Sequence, residues 1–178
     1  MGAGSVKKSL SFGFPPISTD QARVLILGSM PGLRSLEAGE YYAHPRNAFW
    51  EILGHLFHMK AETYAERIHL IKANHLALWD VLECCRRKGS LDAKIADSSI
   101  AVNDFVSFLS NHPRITHVFF NGAKAEREFI KRVRPCLPEH FAHLRCHRLP
   151  STSPAMAGLR LSEKRKAWKK ITAALEAE

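Results

Sequence analysis

The stretch Arg23-Val-Leu-Ile-Leu-Gly28 is a short, uninterrupted apolar run that ends in glycine. Strands that are buried on both faces of a parallel sheet have this continuous apolar pattern. Residues 75–82 (HLALWDVL) and 116–121 (THVFFN) have the same character, and residues 143–149 form a weaker fourth run. The sequence therefore predicts three buried strands and a weaker fourth.

Segments with helical apolar spacing lie between and after these strands. Asn47 is suited to cap a helix that continues to residue 57, and Asn103 is suited to cap another. Further helices are predicted at residues 61–72, 123–134 and 162–177. Strands that alternate with helices pair in parallel through right-handed crossovers. The predicted fold is therefore α/β, a three-layer α/β/α arrangement with a central, mostly parallel four-stranded sheet.

The composition is that of a globular chain. Of the 178 residues, 46% are hydrophobic and 24% are charged, which is ordinary for a folded domain. We expect a flexible N-terminal arm at residues 1–20 and a single domain at residues 21–178. No apolar run approaches the roughly 20 residues that cross a bilayer, and we find no secretion signal. We therefore expect no membrane association and a cytoplasmic location, or a nuclear one in a eukaryotic cell.

The net formal charge of +9 favours a polyanionic partner such as nucleic acid. Part of this charge lies on the predicted terminal helix, where Lys164, Arg165, Lys169 and Lys170 form a basic face. Such a face can contact phosphates, although a solvated helix surface is the more common explanation.

The four cysteines are poorly spaced for a metal site. Cys84 and Cys85 are adjacent, and nine residues separate Cys136 from Cys146. Zinc and iron–sulfur sites usually need two to four residues between paired ligands. We therefore predict that the protein holds no metal, no metal cluster and no other cofactor.

Three loop segments follow predicted strands and are candidates for a binding site. They are residues 28–47, 121–122 and 150–157. In parallel sheets, ligands bind beyond the carboxyl ends of the strands, so these segments are expected to converge. The first begins with Gly28-Ser-Met-Pro-Gly32, whose backbone N–H groups could hold an anion or a carbonyl oxygen. It lacks the residues of a Walker motif, a dinucleotide fingerprint or a nucleophile elbow.

The decamer Tyr41-Tyr-Ala-His-Pro-Arg-Asn-Ala-Phe-Trp50 combines groups that suit nucleic acid. Tyrosine offers a stacking face and a hydroxyl, arginine offers a fork for phosphate, and asparagine can donate and accept at the edge of a base. The alternative roles are structural: Asn47 as a helix cap, and Phe49 and Trp50 as core residues. Asn121 could likewise be a turn residue before Gly122.

Together these motifs resemble the uracil-DNA glycosylase superfamily. LGSMPG (residues 27–32) looks like its water-site loop, FFNG (residues 119–122) like its base-recognition strand, and LPSTSPAMA (residues 149–157) like the loop that presses on the DNA backbone. The decamer is similar to the hypoxanthine-DNA (deoxyinosine) glycosylase branch, and the mismatch-specific uracil branch is the next nearest. The resemblance spans residues 24–157.

The resemblance implies a monofunctional DNA glycosylase that hydrolyses the N-glycosidic bond of deaminated bases, above all hypoxanthine, and leaves an abasic site. It implies catalytic roles for Asn47 and Asn121. Two departures bear on substrate: Met30 stands where many members have a polar residue that positions water, and Leu149 stands where the most active uracil enzymes have histidine. Both departures argue against strong uracil cleavage.

The remaining site residues follow from the same comparison and from charge. The expected base pocket comprises Gly28, Ser29, Met30, Pro31, Tyr41, Tyr42 and His44. The expected DNA contacts are Arg46, Pro150, Ser151, Thr152, Ser153, Met156, Lys164 and Arg165. We expect a monomer that acts on DNA containing deaminated bases. The alternatives are a mismatch-specific uracil-DNA glycosylase, a non-catalytic nucleic-acid-binding module of the same fold, and a small-molecule hydrolase or nucleotide-binding protein.

Overall fold

The structure of the protein is a computed structural model, and it describes residues 10–86 and 100–177. Its strands, in chain order, are β1 (Leu10–Phe12), β2 (Val24–Gly28), β3 (Leu76–Asp80), β4 (Leu82–Arg86), β5 (Ala101–Val102), β6 (His117–Asn121) and β7 (Arg145–Leu149). Its α-helices are α1 (Leu33–Ala38), α2 (Phe49–Leu56), α3 (Tyr64–Ala73), α4 (Phe105–Ser110), α5 (Ala123–Glu128), α6 (Leu161–Trp168) and α7 (Lys170–Glu176).

The central sheet has four strands in the order β3-β2-β6-β7. Each pair of neighbours runs parallel. Every residue of the inner strand β2 and of the edge strand β3 is buried, as expected where helices cover both faces of a parallel sheet. The predicted four-stranded parallel sheet is confirmed.

Alternate residues of β2 enter two separate hydrophobic cores. Leu25 and Leu27 pack on the face that also holds Phe105 of α4, whereas Val24 and Ile26 pack on the opposite face. Successive side chains of a strand point to opposite faces of the sheet, so an unbroken apolar run serves both cores. Helices α4 and α5 cover the first face, and α2, α3, α6 and α7 cover the second. This is the predicted three-layer arrangement.

The predicted strand at residues 75–82 is in fact divided between two sheets. β3 ends at Asp80, and after Val81 the chain continues as β4 in a small antiparallel sheet of order β1-β4-β5. The N–H groups of Val81 and Leu82 donate to the carbonyls of Gly28 and Ser29 at 2.9 and 3.1 Å. Because the run remains apolar through Leu82, its hydrophobicity does not mark the point where one sheet ends.

The predicted N-terminal arm is not free over residues 10–20. β1 pairs with β4, and Ile17 is buried and forms an isolated bridge with Leu78. The Trp79 indole N–H donates to the Phe14 carbonyl at 3.1 Å. Apolar residues at positions 10, 12, 14 and 17 give this segment a reason to pack against the domain. Residues 1–9, the rest of the predicted arm, lie outside the described residues.

Helix starts differ from the predictions in two places. The predicted loop at residues 29–46 contains α1, which ends at Gly39 with φ of 68°. The cap of α4 is Asp104, whose side chain accepts from the Ser107 N–H at 3.0 Å. Asn103, the predicted cap, instead donates through Nδ2 to the Asp80 carbonyl at 2.8 Å.

Two predicted helices are interrupted. The segment 123–134 begins as α5 and continues as a π-helical turn at Phe129–Val133. The terminal segment 162–177 is divided into α6 and α7 at Lys169. Within residues 10–86 and 100–177, no helix is both long and apolar enough to cross a membrane.

Candidate active site

A cavity of about 450 Å³ lies at the carboxyl ends of β2, β3 and β6 and beside the loop that follows β7. Its volume is within the range of roughly 300–1,000 Å³ that is usual for small-molecule sites. The three loop segments singled out in the sequence all contribute to its wall. The cavity thus brings together both asparagines, Asn47 and Asn121, the base-pocket residues Gly28, Ser29, Met30, Pro31, Tyr41, Tyr42 and His44, and Ser151, Thr152, Ser153 and Met156 of the final loop.

At Gly28, side chains from other parts of the chain lie close to the backbone in the cavity wall. A Cβ atom at this position would meet Oδ1 of Asp80 and would come within 2.7 Å of the Tyr42 hydroxyl oxygen. A side chain larger than hydrogen would therefore displace both polar groups. This crowding explains why strand β2 ends in glycine, because a residue with a Cβ atom would not fit there.

Asn47 is held by the start of α2. Its Oδ1 accepts from the Phe49 N–H at 3.0 Å, while its own N–H donates to the His44 carbonyl at 2.8 Å. The N-cap position of α2 is Ala48, so the predicted cap role of Asn47 is wrong by one residue, although its side chain satisfies a backbone donor there. The Phe49 contact uses only the oxygen, and the two N–H donors of the amide nitrogen are not part of it.

Asn121 is held by the loop after β7. Its Nδ2 donates to Oγ1 of Thr152 at 2.9 Å, and its Oδ1 accepts from the Thr152 N–H at 2.9 Å. This paired contact fixes the plane of the amide. One N–H and one oxygen lone pair of Asn121 are outside the contact and suit the edge of a base.

Gly122 allows β6 and the final loop to lie side by side. Its φ is 98°, and a Cβ atom would come within 3.0 Å of the Ser151 Cβ. Its N–H donates to the Leu149 carbonyl at 3.0 Å. The glycine after Asn121 is therefore required by its neighbours, and Asn121 itself does more than form a turn.

Tyr41 and Tyr42 have different positions. Tyr41 is almost fully buried, and its hydroxyl donates to the carbonyls of Phe14 and Pro15 at 3.3 and 3.1 Å. Burial, and to a smaller extent the charge of Asp80, raises the pKa of Tyr41 far above its usual value, so its phenol remains a protonated donor. Of the two tyrosines that could stack on a base, Tyr41 is the less suited, because its ring is buried in this way.

Tyr42 is the more exposed of the two rings. Its φ of 53° is in the left-handed region, which bulky residues rarely adopt. Its ring stacks on Phe49 with the centroids 3.9 Å apart. Strained backbone of this kind is often found at functional sites, and here it directs the Tyr42 hydroxyl towards Gly28.

Indole groups fasten two of the loops around the cavity. The Trp50 N–H donates to the Tyr41 carbonyl at 2.8 Å, and the Trp168 N–H donates to the Pro150 carbonyl at 3.0 Å. In addition, the Ala48 N–H donates to the Thr152 carbonyl at 3.1 Å. The loop that carries Asn47 is thus connected directly to the loop that holds Asn121.

Asp80 is a cavity residue that the sequence reasoning missed. It lies at the end of β3, is only 2% exposed, and lines the cavity. The signal that could have found it is a single acid at the end of an otherwise apolar strand. Met30, by contrast, lies in the wall as predicted and is 7% exposed, but its thioether has no acid–base capacity.

Four predicted DNA-contact residues are not among those that line the cavity. The Pro150 carbonyl accepts from Trp168, and the Arg46 N–H donates to His44 Nδ1 at 3.1 Å. Lys164 is buried, and its Nζ donates to the Met156 carbonyl at 2.9 Å; burial lowers the pKa of this amine. Arg165 forms an ion pair with Glu51 at 2.8 Å. The predicted basic face therefore loses two charges to internal contacts.

A wider depression of about 580 Å³ lies at the opposite end of α2. Its walls include His55, His58 and Lys169. It is open to solvent, and the segments that follow β2, β6 and β7 do not form it. The smaller cavity at the carboxyl edge of the sheet is therefore the better candidate for a binding site.

The described cysteines and acids show no arrangement typical of a metal centre. Cys84, Cys85, Cys136 and Cys146 are free thiols. Among residues 10–86 and 100–177, no group of three or more His, Cys, Asp or Glu side chains could hold a metal ion. The polar groups of the cavity are amides, hydroxyls, one carboxyl, one imidazole and one guanidinium.

A three-layer parallel fold with a cavity at the carboxyl edge of its sheet defines an α/β protein whose cavity lies where proteins of that class usually bind ligands. Residues 15–175 match the sequence profile of the Uracil DNA glycosylase superfamily. The chain belongs to this superfamily, and the resemblance found in its motifs is confirmed.

Similar proteins come from two Methanosarcina species. A protein of Methanosarcina barkeri named hypoxanthine DNA glycosylase is 39% identical over 124 residues, which are 68% of this chain and 77% of that protein. A protein of the same name from Methanosarcina acetivorans is 36% identical over 115 residues, 64% of this chain and 72% of that protein. A solution NMR structure from M. acetivorans, described only provisionally as a uracil DNA glycosylase, is 30% identical and superposes with a TM-score of 0.74 over 92% of this chain and 99% of that one.

Proposed function

We propose that the protein is a monofunctional DNA glycosylase that hydrolyses the N-glycosidic bond of hypoxanthine in DNA and leaves an abasic site. The observation that carries this proposal is the convergence of Asn47 and Asn121 in one cavity, each with its amide fixed by a backbone neighbour. The names of the two Methanosarcina relatives support the choice of base.

Neutral amides are sufficient for this reaction. Hydrolysis of a glycosidic bond passes through a sugar with oxocarbenium character, so the attacking water needs placement more than deprotonation. The target base must first leave the helical stack, which costs about a few kcal/mol and less at a mismatch. A cavity that holds the extruded base and one water molecule can then carry out the cleavage.

Asn47, Asn121 and the backbone near Ser29 have different roles in this reaction. The amide of Asn47 orients the water that attacks the sugar. Asn121 uses its remaining N–H and lone pair to hold the base, in a plane set by Thr152. Backbone N–H groups near Ser29 stabilise the negative charge that develops on the leaving base.

The absence of lysine from the cavity supports hydrolysis by water. Among the described residues that line the cavity, none is a lysine, and Schiff-base chemistry requires an amine nucleophile. Borohydride added during turnover is therefore expected to trap no covalent protein–DNA complex. A trapped complex would contradict a monofunctional mechanism.

A panel of labelled duplexes tests the activity. Each carries hypoxanthine, uracil or adenine at the same position, and alkali after incubation converts abasic sites to strand breaks. We expect breaks at hypoxanthine, and their loss in Asn47→Ala. Breaks at uracil alone would instead assign the protein to the mismatch-specific uracil enzymes. Binding without breaks at any base would identify the protein as a non-catalytic nucleic-acid-binding module. This module is the second candidate because apolar Met30 lines the cavity where related enzymes usually have a residue that positions water.

A further inference from the structure

Asp80 is the one acidic side chain among the described residues that line the cavity. Its side chain is almost completely removed from solvent. Buried carboxyl groups are uncommon unless they have a specific role. The catalytic scheme built on Asn47 and Asn121 leaves this group without a function.

The position of Asp80 is fixed by main-chain contacts on both sides. It pairs in register with Gly28 between β3 and β2, and its carbonyl accepts from Asn103 Nδ2 at 2.8 Å. The next residue, Val81, donates its N–H to the Gly28 carbonyl at 2.9 Å. A group supported by a strand of the sheet is placed more accurately than one on a loop.

Its carboxyl group reaches the floor of the cavity beside Gly28. A Cβ atom at Gly28 would clash with Oδ1 of Asp80 and would also lie close to the Tyr42 hydroxyl oxygen. The same carboxylate is close enough to Tyr41 to affect the ionisation of its phenol. The cavity floor thus presents a carboxyl group whose oxygens can accept a hydrogen bond.

Hydrogen bonds donated by the two asparagines do not by themselves discriminate between hypoxanthine and adenine. Asn47 offers N–H donors, and Asn121 offers one donor and one acceptor. A donor binds N7 of hypoxanthine and N7 of adenine equally well, because both purines have this acceptor. The two bases differ instead at N1, which carries a hydrogen in hypoxanthine and a lone pair in adenine, and at the six-position substituent.

We propose that the Asp80 carboxylate accepts a hydrogen bond from N1–H of hypoxanthine and thereby excludes adenine, the normal base from which hypoxanthine arises by deamination. This inference rests on the proposed function. Adenine would place the lone pair of N1 against a buried carboxylate, and sites built around one hydrogen bond reject analogues that lack the partner. An ionised carboxylate only accepts hydrogen bonds, so it offers no donor to the N1 lone pair of adenine.

Binding of uncleavable substrates tests the proposal without depending on the rate of cleavage. Duplexes would contain hypoxanthine or adenine on 2′-fluoroarabinose, which resists hydrolysis, and a third duplex would contain a tetrahydrofuran abasic analogue. We expect the parent protein to prefer hypoxanthine over adenine by about 10²-fold, a moderate value for this kind of selection. Asp80→Asn should reduce the preference to a fewfold and leave affinity for the abasic duplex unchanged.

The matched control is Asn47→Ala, which should lose cleavage and keep the preference. A preference that is unchanged in Asp80→Asn would overturn the role of Asp80 even if the parent protein cleaves hypoxanthine. A parent protein that neither cleaves nor prefers hypoxanthine would overturn the proposed function and this inference together.

If circular dichroism shows that Asp80→Asn does not fold, the proposal can be tested by changing the base in the DNA and keeping the parent protein. In 1-methylhypoxanthine the N1–H donor is replaced by a methyl group. The parent protein should bind a duplex with this base at least 10-fold more weakly than one with hypoxanthine. Equal binding of the two duplexes would show that N1–H is not read, and the proposal would fail.

Discussion

Asn47 and Asn121 each have a structural contact as well as a proposed chemical one, and substitutions can separate the two. The oxygen of each amide accepts a backbone hydrogen bond. Aspartate keeps that acceptor and removes the N–H donors, whereas alanine removes both. At the residue scale, comparison of these two substitutions therefore distinguishes a stabilising residue from a catalytic one.

Asn47→Ala is expected to lower single-turnover cleavage of hypoxanthine DNA by about 10²-fold or more, the scale for loss of one positioned polar group. It should also cost about 1 kcal/mol of stability, because the Phe49 N–H loses its acceptor. Asn47→Asp should retain the stability while still cleaving poorly. Thermal denaturation and rapid-quench assays measure the two effects, and parental cleavage rates in both variants would make Asn47 purely structural.

Asn121→Ala is expected to be the more destabilising change. It leaves the N–H of Thr152, a residue that is 1% exposed, without its acceptor, and an unmet buried donor costs about 1–3 kcal/mol. Asn121→Asp should recover most of the melting temperature, since its carboxylate can accept from the same N–H. Cleavage should stay low in both variants. Full activity of Asn121→Asp would argue against donation from Asn121 to the base.

At the scale of elements, the final loop is held by a buried cation rather than exposing one to DNA. Lys164 of α6 donates to the Met156 carbonyl, and Met156 lines the cavity with 43% of its surface exposed. The lysine that the sequence predicts as a phosphate contact is thus a support for the loop. This difference has a measurable consequence in the salt dependence of DNA binding.

Lys164→Met should weaken DNA binding about fivefold, the value of one hydrogen bond of about 1 kcal/mol, with no change in the slope of log affinity against log salt. A lysine that neutralises a phosphate would instead contribute about 0.9 to that slope. Lys166→Met, at an exposed position of the same helix, is the control for general loss of charge. A reduced slope in Lys164→Met alone would restore the phosphate-contact assignment.

At the scale of the whole molecule, the charge of +9 should make DNA binding strongly dependent on salt. The structure indicates which charges contribute. Arg34 is well exposed and lines the cavity, so Arg34→Gln should reduce the slope by about 0.9. Lys169 is in the depression at the other end of α2, and Lys169→Glu should leave the slope unchanged. Fluorescence anisotropy at several salt concentrations provides the measurement, and the reverse pattern would place the DNA on the terminal helices.

Apolar runs predicted β2, β3 and β6 because burial on both faces imposes a simple pattern on these strands, whereas β7 is mostly exposed and gave a weaker signal. The same pattern could not show that residues 75–82 serve two sheets, since Leu82 is buried in either arrangement. The convergence of Asn47 and Asn121 followed from their places after strands and in a loop at one edge. Asp80 was missed because it lies within an apolar run. The burial of Lys164 was not foreseen because sequence does not show which lysine of a basic helix turns inward.

The chain has three tryptophans, and each indole N–H donates to a main-chain carbonyl outside its own element. Two of these carbonyls, those of Tyr41 and Pro150, belong to loops at the cavity. The intrinsic fluorescence of the protein is therefore an optical reporter of these loops. A change in emission on adding an uncleavable hypoxanthine duplex should persist in Trp79→Phe, whose indole binds the N-terminal segment, and should diminish in Trp50→Phe or Trp168→Phe. The occupancy of the site could then be followed in real time without a label on either molecule.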